Sequence, residues 1–375
     1  MCPSLRSLVQ FQLSALNTKS MKVTIIGAGN IGVAFAADLS IKGHEVTLLK
    51  TSSYKSDAFD RLIKNGNRVF LKEKSIYTET AIKEVSKDLS KVADAEVIFC
   101  TIQSNFYEGI VERIHQYLHK DQIVVCVCSY ASSFYFDKHC RILPMLVEAT
   151  GPYLEGRVEL DDKPNEVVFR VGYRHEVIPV SCFSNHDTCI EKLHRISKGF
   201  IGKYCVLESA LLNPNMVLHT IGSIMSIPRI EYSKGNFCMY REAYARGNNA
   251  TINLLMRLDE EKMKVLKNLG FLKTSVFEAG GFNMSDPIKS LYRYSESNDR
   301  AISPTSVHSR YITEDVSEGL VLMESIANHI GLELPVTSSL ITLASVALGI
   351  DFRKTGRTIH KLGIENEIDM LHECR

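Results

Sequence analysis

The first 205 residues alternate short apolar runs with segments of helical periodicity. The apolar, β-branched segment Lys22–Ile26 predicts a buried strand, and residues 31–42, after a glycine-rich turn, predict a helix that ends at Gly43. Residues 44–49 predict the second strand. A strand, a helix and a strand within about 30 residues are typical of a parallel βαβ unit, because a parallel connection must cross over the sheet.

The same alternation continues through the rest of this region. Further strands are predicted at residues 96–101, 122–128, 166–173 and 176–180, and helices at residues 107–119 and 186–200. Because strands that alternate with helices form a parallel sheet covered on both faces, we expect an α/β fold with a Rossmann-type doubly wound sheet. Residues 21–205 are therefore the predicted dinucleotide-binding domain.

After residue 205 strand patterns become rare. Amphipathic patterns predict helices at residues 216–225, 249–269, 315–330 and 337–348. We expect residues 206–375 to form an all-α C-terminal domain that holds the substrate and the catalytic residues. Residues 1–20 have a mildly apolar middle interrupted by polar side chains, and there we expect a disordered extension.

Composition and charge exclude several classes of protein. The 375 residues carry a net charge of +1, which gives no broad basic surface for nucleic acid or an anionic membrane. The ten cysteines include no C-x-x-C pair and no spacing with histidine typical of zinc, so we expect reduced thiols in the cytoplasm and no metal site. No apolar run reaches the roughly 18 residues that a membrane span needs.

Gly27, Gly29 and Gly32 form a G-x-G-x-x-G pattern between the first predicted strand and the first predicted helix. The first glycine permits a tight turn, the second lets the backbone approach a pyrophosphate, and the third lets the helix pack close to the strand. We therefore expect a dinucleotide at this helix N-terminus, contacted by Gly27, Gly29, Asn30, Ile31 and Gly32. A structural turn without a ligand is the alternative.

The end of the second predicted strand bears on the choice of cofactor. NAD-binding proteins normally place a carboxylate there for the ribose 2′-hydroxyl, but this chain has Lys50, followed by Thr51 and Ser52. A cation and hydroxyls suit a 2′-phosphate, so we favour NADP over NAD; a solvated basic loop is the alternative. Gln103 and Ser104 follow a later strand and are candidates for contact with the nicotinamide or a substrate, or for a plain turn.

Two segments of the second domain carry candidate catalytic groups. His219 lies near the start of an apolar predicted helix, where a buried core histidine is the ordinary interpretation. In the second segment Thr313 is a plausible helix cap, which would place Glu314 and Asp315 in the first turn, with Arg310 just before it. Carboxylates in a first turn also stabilise a helix without any catalytic role.

Together these segments resemble the octopine and nopaline dehydrogenases, and more broadly the opine dehydrogenases. The resemblance runs from Met21 to about Gly363, and R-Y-I-T-E-D-V is its most specific motif. The motifs that carry it are G-A-G-N-I-G at 27–32, N-P-N-M-V-L-H at 213–219, Y-R-E at 240–242, R-Y-I-T-E-D-V at 310–316, G-L-V at 319–321 and G-R-T at 356–358. At Y-R-E we expect a buried ion pair between the domains, with a structural role rather than a catalytic one.

The resemblance implies a reductive condensation. An α-keto acid and an amino acid form an imine, which NAD(P)H reduces to an opine. By the family's pattern His219 would be the acid–base residue, Asp315 its partner, and Arg310 the ligand of a substrate carboxylate. These roles agree with the ordinary chemistry of the three side chains, since a histidine titrates near neutral pH and an arginine matches a carboxylate in shape.

Other interpretations stay open. A ketopantoate reductase or a 3-hydroxy acid dehydrogenase would share the two domains, but such enzymes typically use a lysine and an asparagine instead of a histidine and an aspartate. A non-catalytic dinucleotide sensor is a third interpretation. The chain also lacks a proline that family members often carry soon after the strand that precedes Gln103, so the resemblance does not predict the keto-acid pocket. A homodimer through the helical domain is a further hypothesis.

Overall fold

A computed structural model describes residues 20–54, 56–160, 166–203, 205–297 and 303–373. The predicted disordered extension, residues 1–20, lies outside the described residues except for Ser20. The chain divides into two compact units. Within the described residues, the first unit lies in 20–102, 109–127 and 139–205, and the second lies in 103–108, 128–138 and 206–373. Two short segments that the sequence analysis places in the first domain, 103–108 and 128–138, thus belong to the second unit.

All strands of the described residues lie in the first unit. They are β1 Lys22–Ile26, β2 Glu45–Leu49, β3 Arg68–Glu73, β4 Ile76–Ala81, β5 Glu84–Ser86, β6 Val97–Cys100, β7 Ile123–Val127, β8 Met145–Ala149, β9 Leu154–Glu159, β10 Val168–Arg174, β11 Ile178–Cys182 and β12 Phe200–Gly202.

The helices follow in chain order. They are α1 Asn30–Ile41, α2 Asp57–Lys64, α3 Tyr107–Ile114, α4 Ser133–His139, α5 His186–Leu193, α6 Val206–Leu211, α7 Asn215–Ile224, α8 Ile227–Ser233, α9 Met239–Tyr244, α10 Asn249–Asn268, α11 Val276–Ala279, α12 Pro287–Glu296, α13 Arg310–Thr313, α14 Val321–His329, α15 Pro335–Leu348, α16 Phe352–Thr355, α17 Ile359–Leu362 and α18 Glu365–Glu373. Three short 3₁₀ turns, Leu89–Asp94, Ser104–Phe106 and His115–Tyr117, and a π-helical stretch, Asp315–Leu320, complete the described elements.

The main sheet has the strand order β12-β11-β8-β7-β6-β1-β2-β5 within the described residues. Its pairs are parallel except for β8 with β11, and Val23 on β1 stands opposite both Val46 and Val97. The chain moves outward from β1 to β2 and later returns to the other side at β6, so the sheet is doubly wound as predicted. In such sheets ligands bind at the carboxyl ends of the strands where the order reverses, which is where the glycine-rich turn follows β1.

A second, four-stranded sheet has the order β4-β3-β10-β9. Residues 166–173 were predicted as a further strand of the main sheet, but β10 pairs with β3 and β9 instead. Arg174 at the end of β10 anchors this sheet to α1, because its guanidinium lies 2.9 Å from the Asp38 carboxylate and 3.0 Å from that of Glu73 on β3. Asp38 is buried and also pairs with Lys42 at 2.8 Å.

The second unit is helical, as predicted. The helix predicted at 315–330 begins earlier, at Arg310, and runs as α13, then as the π-helical stretch, then as α14. Thr313 is therefore not its cap: Ser309 precedes the first turn, and the Thr313 hydroxyl donates to the Ser309 carbonyl at 3.1 Å. Among the described residues, no single helix is both long enough and apolar enough to cross a bilayer.

Candidate active site

His219 and Asp315 meet inside the second unit. Helix α7 carries the histidine and the π-helical stretch carries the aspartate, and Nδ1 of His219 lies 2.8 Å from Oδ2 of Asp315. The two residues are 4% and 1% exposed, so the hydrogen bond is shielded from water. With the carboxylate as acceptor, Nδ1 carries the proton and Nε2 carries a lone pair. Nε2 is therefore the ring nitrogen that is left to accept a proton.

Burial governs the protonation of this imidazole. It lowers the pKa of His219 below its ordinary value, and Arg310 adds to that effect, whereas the Asp315 carboxylate opposes it. The net result is a pKa below the ordinary histidine value, and a proton that Nε2 takes up is stabilised by Asp315.

Two tyrosines fix the plane of the His219 ring. The Tyr311 ring stacks on it with centroids 3.7 Å apart and an interplanar angle of 10°, and the Tyr240 ring meets it edge-on at 6.2 Å. Tyr240 belongs to the Y-R-E motif, where we expected a buried ion pair. That expectation is wrong, since Glu242 pairs with Arg229 at 3.0 Å on the surface of the unit.

The second oxygen of the Asp315 carboxylate also has a partner. The Tyr130 hydroxyl donates to Oδ1 at 2.6 Å. Burial, and then the negative charge of Asp315, hold the pKa of Tyr130 well above its usual value, so the phenol stays a donor. Cys128, Tyr130 and Ala131 all have left-handed backbone, with φ of 52°, 51° and 63°, a conformation that costs about 1–2 kcal/mol per residue with a Cβ.

Arg357 holds this strained segment in place. Its side chain is fully buried, and Nη1 donates to the carbonyl oxygens of Ser129 and Tyr130 at 2.6 and 2.5 Å. Nη2 donates to the Ser104 carbonyl at 2.8 Å and pairs with Glu318 at 3.0 Å. The buried guanidinium is thus neutralised by Glu318 while its N–H groups bind three backbone carbonyls.

Glu314, beside the histidine's partner, binds Ser104. Its Oε1 accepts hydrogen bonds from the backbone N–H and the hydroxyl of Ser104 at 2.7 and 2.8 Å. Burial raises the pKa of Glu314, the nearby Asp315 charge raises it further, and Arg310 opposes both. Arg310 itself lies 3.5 Å from Glu314, with 46% of its side chain exposed. Ser104, a candidate for ligand contact, is therefore buried against Glu314, whereas Gln103 is exposed.

The glycine-rich turn in the first unit has the shape that a dinucleotide needs. Gly27 has φ of +113°, and a Cβ on Gly32 would lie 1.7 Å from the Gly27 carbonyl oxygen, so neither position accepts a side chain. A Cβ on Gly29 would meet nothing within 4 Å, which leaves open space beside the backbone at the start of α1. The Asn30 amide oxygen accepts a hydrogen bond from the Val158 N–H at 2.9 Å, and the Ile31 side chain is half-buried. The turn fits a bound pyrophosphate at the helix N-terminus.

The loop after β2 differs from the sequence prediction in one respect. Lys50 is buried, and its Nζ donates to the Ser52 and Tyr54 carbonyl oxygens, both at 2.5 Å, and to the Ser52 hydroxyl at 3.1 Å. The ammonium therefore braces its own loop instead of pointing outward. Thr51 is half-buried, and the side chain of Ser52 is exposed.

Several residues around the histidine were missed from the sequence. Arg357 and Tyr311 lie in motifs that carry the family resemblance, so their place in G-R-T and R-Y-I-T-E-D-V was an available signal. Glu314 was identified only as a first-turn carboxylate. Nothing in the sequence singled out Tyr130, because its contact with Asp315 joins positions 185 residues apart.

Two domain families match the chain. Residues 204–348 match the family described as NAD/NADP octopine/nopaline dehydrogenase, alpha-helical domain, and residues 22–129 match the NAD-dependent glycerol-3-phosphate dehydrogenase N-terminus. The first match covers both His219 and Asp315, and the second covers the glycine-rich turn.

Curated relatives align over almost the whole chain. The vitopine synthase of Allorhizobium ampelinum is 25% identical over 359 residues, which cover 92% of this chain and 95% of the relative. The opine dehydrogenase of an Arthrobacter species is 23% identical, with coverage of 92% and 96%. A solved octopine dehydrogenase in complex with NADH and agmatine superimposes with a TM-score of 0.72 at 16% identity, covering 94% of this chain and 98% of the other.

Proposed function

Since the chain belongs to the opine dehydrogenase family, we propose that it reduces the imine formed between an α-keto acid and an amino acid, with NAD(P)H as the hydride donor. The observation that carries this proposal is the buried hydrogen bond between His219 and Asp315 within the region matched by the octopine dehydrogenase helical domain. The product is a secondary amine with two carboxylates, an opine.

The overall chemistry requires one acid–base group. The amine adds to the keto carbon, and the resulting carbinolamine loses its hydroxyl as water when a proton reaches the oxygen. The C=N bond that remains then takes up a hydride at carbon, which the reduced dinucleotide supplies when bound. We assign the proton donor to Nε2 of His219; in the reverse direction the lone pair on Nε2 accepts a proton from the water that adds to the C=N bond.

Asp315 is the partner of this histidine. Its carboxylate accepts from Nδ1, selects the tautomer with the lone pair on Nε2, and stabilises the imidazolium that forms in the reverse direction. The stacked Tyr311 ring keeps the imidazole in one plane. The pair therefore needs little reorganisation when a proton moves.

Arg310 is the proposed ligand of a substrate carboxylate. Its side chain is 46% exposed at one edge of the same cluster, so a substrate carboxylate can approach it. The Glu314 contact at 3.5 Å holds the side chain in position without saturating its donors.

For the cofactor we propose that the glycine-rich turn, with Asn30 and Ile31, holds the pyrophosphate and that NADPH is preferred over NADH. The end of β2 offers Lys50, Thr51 and Ser52 and no carboxylate at these positions. Lys50 acts here through its charge and by bracing the loop, while the hydroxyls of Thr51 and Ser52 supply donors to a 2′-phosphate. Gln103 remains a proposed contact of the cofactor or substrate.

The test combines three components in one assay. The protein is mixed with NADPH or NADH, with pyruvate or another keto acid, and with a panel of amino acids, and the absorbance of the reduced cofactor is followed. Turnover that requires both the keto acid and the amino acid supports the proposal. Turnover with a keto acid alone identifies a hydroxy acid dehydrogenase, and tight cofactor binding without any turnover identifies a sensor.

We also propose that the protein resides in the cytoplasm. Eight cysteines in the described part of the chain form no disulfide with one another, which agrees with a reducing compartment. Fractionation of the source cells tests the compartment. The hypothesis of a homodimer is tested separately by sedimentation of the purified protein.

A further inference from the structure

We infer that Tyr130 is a positioning residue of the reaction: its hydroxyl holds the Asp315 carboxylate so that the other carboxylate oxygen fixes His219. The inference goes beyond the histidine–aspartate pair of the proposed function. It rests on that function for its kinetic readout, and a spectroscopic readout is added below that does not depend on turnover.

The first support is that both oxygens of the Asp315 carboxylate accept a hydrogen bond. Oδ1 accepts from Tyr130 at 2.6 Å and Oδ2 accepts from His219 at 2.8 Å, so each oxygen has one strong donor. Because the carboxylate is buried, rotation away from either donor would leave a buried oxygen without a hydrogen-bond partner. The tyrosine therefore fixes the orientation in which the carboxylate faces the imidazole.

The second support is the backbone that delivers the tyrosine. Three residues, Cys128, Tyr130 and Ala131, adopt left-handed φ without being glycine. Conformations of this kind persist only where surrounding contacts enforce them, and they concentrate at functional sites. Arg357 supplies the enforcement, because its buried guanidinium binds the carbonyl oxygens of both Ser129 and Tyr130.

A third support comes from the space that the tyrosine ring occupies. Gly319 lies in the same π-helical stretch as Asp315, and a Cβ there would come within 3.0 Å of the Tyr130 ring and of the Met216 side chain. The absence of a side chain at position 319 thus allows the ring to pack against the turn that carries its acceptor. Backbone strain, the Arg357 contacts and Gly319 all place one hydroxyl on one oxygen.

The hydrogen bond has a consequence for proton transfer. A donor on Oδ1 withdraws part of the negative charge that Asp315 presents to the imidazole, so the proton affinity of Nε2 is lower than the carboxylate alone would make it. The groups that face His219 are Asp315, Arg310, Tyr311 and Tyr240, and those that face Asp315 are His219, Tyr130 and Glu314.

Tyr130→Phe and Asp315→Asn should move the pH profile in opposite directions. Loss of the tyrosine hydroxyl leaves more charge on Asp315, so the apparent pKa of the acid limb of opine oxidation rises, by about half a unit to one unit. In Asp315→Asn the loss of the carboxylate charge lowers this apparent pKa. We expect kcat of Tyr130→Phe to fall about tenfold because the carboxylate is less well held, with the NADPH dissociation constant within about twofold of wild type.

Tyr244→Phe is the matched control. Tyr244 is equally buried in the second unit, but its hydroxyl donates to the Leu218 carbonyl and not to Asp315. Its loss should lower the thermal midpoint and leave the midpoint of the acid limb where it is in wild type. A pH profile of Tyr130→Phe that matches wild type, at wild-type kcat, would overturn the inference.

A measurement by NMR keeps the inference testable without any turnover. The His219 ring nitrogens are titrated in protein labelled with ¹⁵N-histidine, with NADP⁺ present; the Tyr130→Phe imidazole should titrate at higher pH than wild type. If Tyr130→Phe does not fold, the Tyr130 hydroxyl proton of wild type is sought as a slowly exchanging downfield resonance that Asp315→Asn removes. The inference is contradicted if Tyr130→Phe leaves the His219 titration unchanged, or if the Tyr130 hydroxyl proton exchanges rapidly with water. If the NMR changes are present but the protein shows no turnover, only the proposed reaction is contradicted.

Discussion

At the level of single side chains, the acid–base role proposed for His219 predicts how each direction of the proposed reaction depends on pH. Oxidation of an opine needs the neutral imidazole, and burial lowers the pKa of this residue, so the base is available at lower pH than for an exposed histidine. We expect the acid limb of kcat/KM for oxidation to have its midpoint below the ordinary histidine value of 6.5.

The same lowered pKa acts in the opposite sense on reduction. Protonated His219 becomes scarce as the pH rises through its pKa, so reductive turnover should decline toward alkaline pH while oxidation gains. Rate profiles recorded in both directions with one opine check this. Oxidation with its midpoint above 6.5 would mean that Asp315 outweighs burial.

Arg310 offers a second test at this scale. Arg310→Lys keeps the charge but loses the planar pair of N–H donors, so the KM of the keto acid should rise about tenfold, with a smaller change for the amino acid. Steady-state kinetics with each substrate varied in turn measure the difference. Arg353→Lys is the matched control. Arg353 lies in the same unit and binds the Glu324 carboxylate through two N–H donors, but it has no proposed substrate contact.

At the level of elements, the proposed preference for NADPH is assigned to the loop after β2. Thr51→Asp places a carboxylate where NAD-binding proteins have one, and its charge should repel a 2′-phosphate. We expect NADPH affinity to fall about tenfold or more while NADH affinity holds or improves. Binding titrations with both cofactors measure this, and Thr51→Asn, of the same shape without the charge, serves as the control. Equal losses for both cofactors would count against the assigned loop.

Some strands of the first unit could be predicted from the sequence and others could not. β1, β2, β6 and β7 were predicted within one or two residues, because a fully apolar strand between turns has a clear signature. β3 and β4 were missed because their polar and apolar positions are mixed. The two strands pair locally with each other, but β3 also pairs with β10 about 100 residues later. Pairing of this kind is not local and leaves little trace in the sequence.

The candidate site, like the strands, was predicted from the sequence only in part. His219, Asp315 and Arg310 were found because their motifs resemble a family, and the structure brings the first two into contact. Thr313 was taken as a cap because a threonine before two acidic residues fits that pattern, whereas the helix begins one turn earlier, at Arg310. Tyr130 and its left-handed backbone depend on contacts with Arg357 and Asp315, and no window of adjacent residues contains them.

At the level of the whole molecule, ionic contacts in the first unit tie its two sheets together through α1. Burial alone would raise the pKa of Asp38, but Lys42 and Arg174 together lower it below its ordinary value of 3.8. A carboxylate with a lowered pKa contributes stability above that value, and the contribution is lost as the pH falls through the folded-state pKa. The first unit should therefore lose stability in strong acid.

Arg174→Met tests this arrangement. The variant keeps an apolar stem but leaves Asp38 with one cation, so the free energy of unfolding should fall by about 2 kcal/mol at neutral pH, less than for a fully buried pair because Arg174 is one-third exposed. Thermal and denaturant melts measure the loss. Arg68→Met, which removes an exposed pair with Glu79, should change stability by less than about 0.5 kcal/mol. Equal effects of the two substitutions would contradict a structural role for Arg174.

The π-helical stretch Asp315–Leu320 makes the spacing of residues matter as much as their identity. A π turn holds more residues than an α turn, and each residue of an α-helix advances about 100° around the axis. Deleting a single amino acid there would remove the extra residue and let ordinary helical winding resume, with the turns on either side close to their present register. Asp315 and Gly319 both lie in the stretch, so the deletion would alter how their positions face the site while the helix survived.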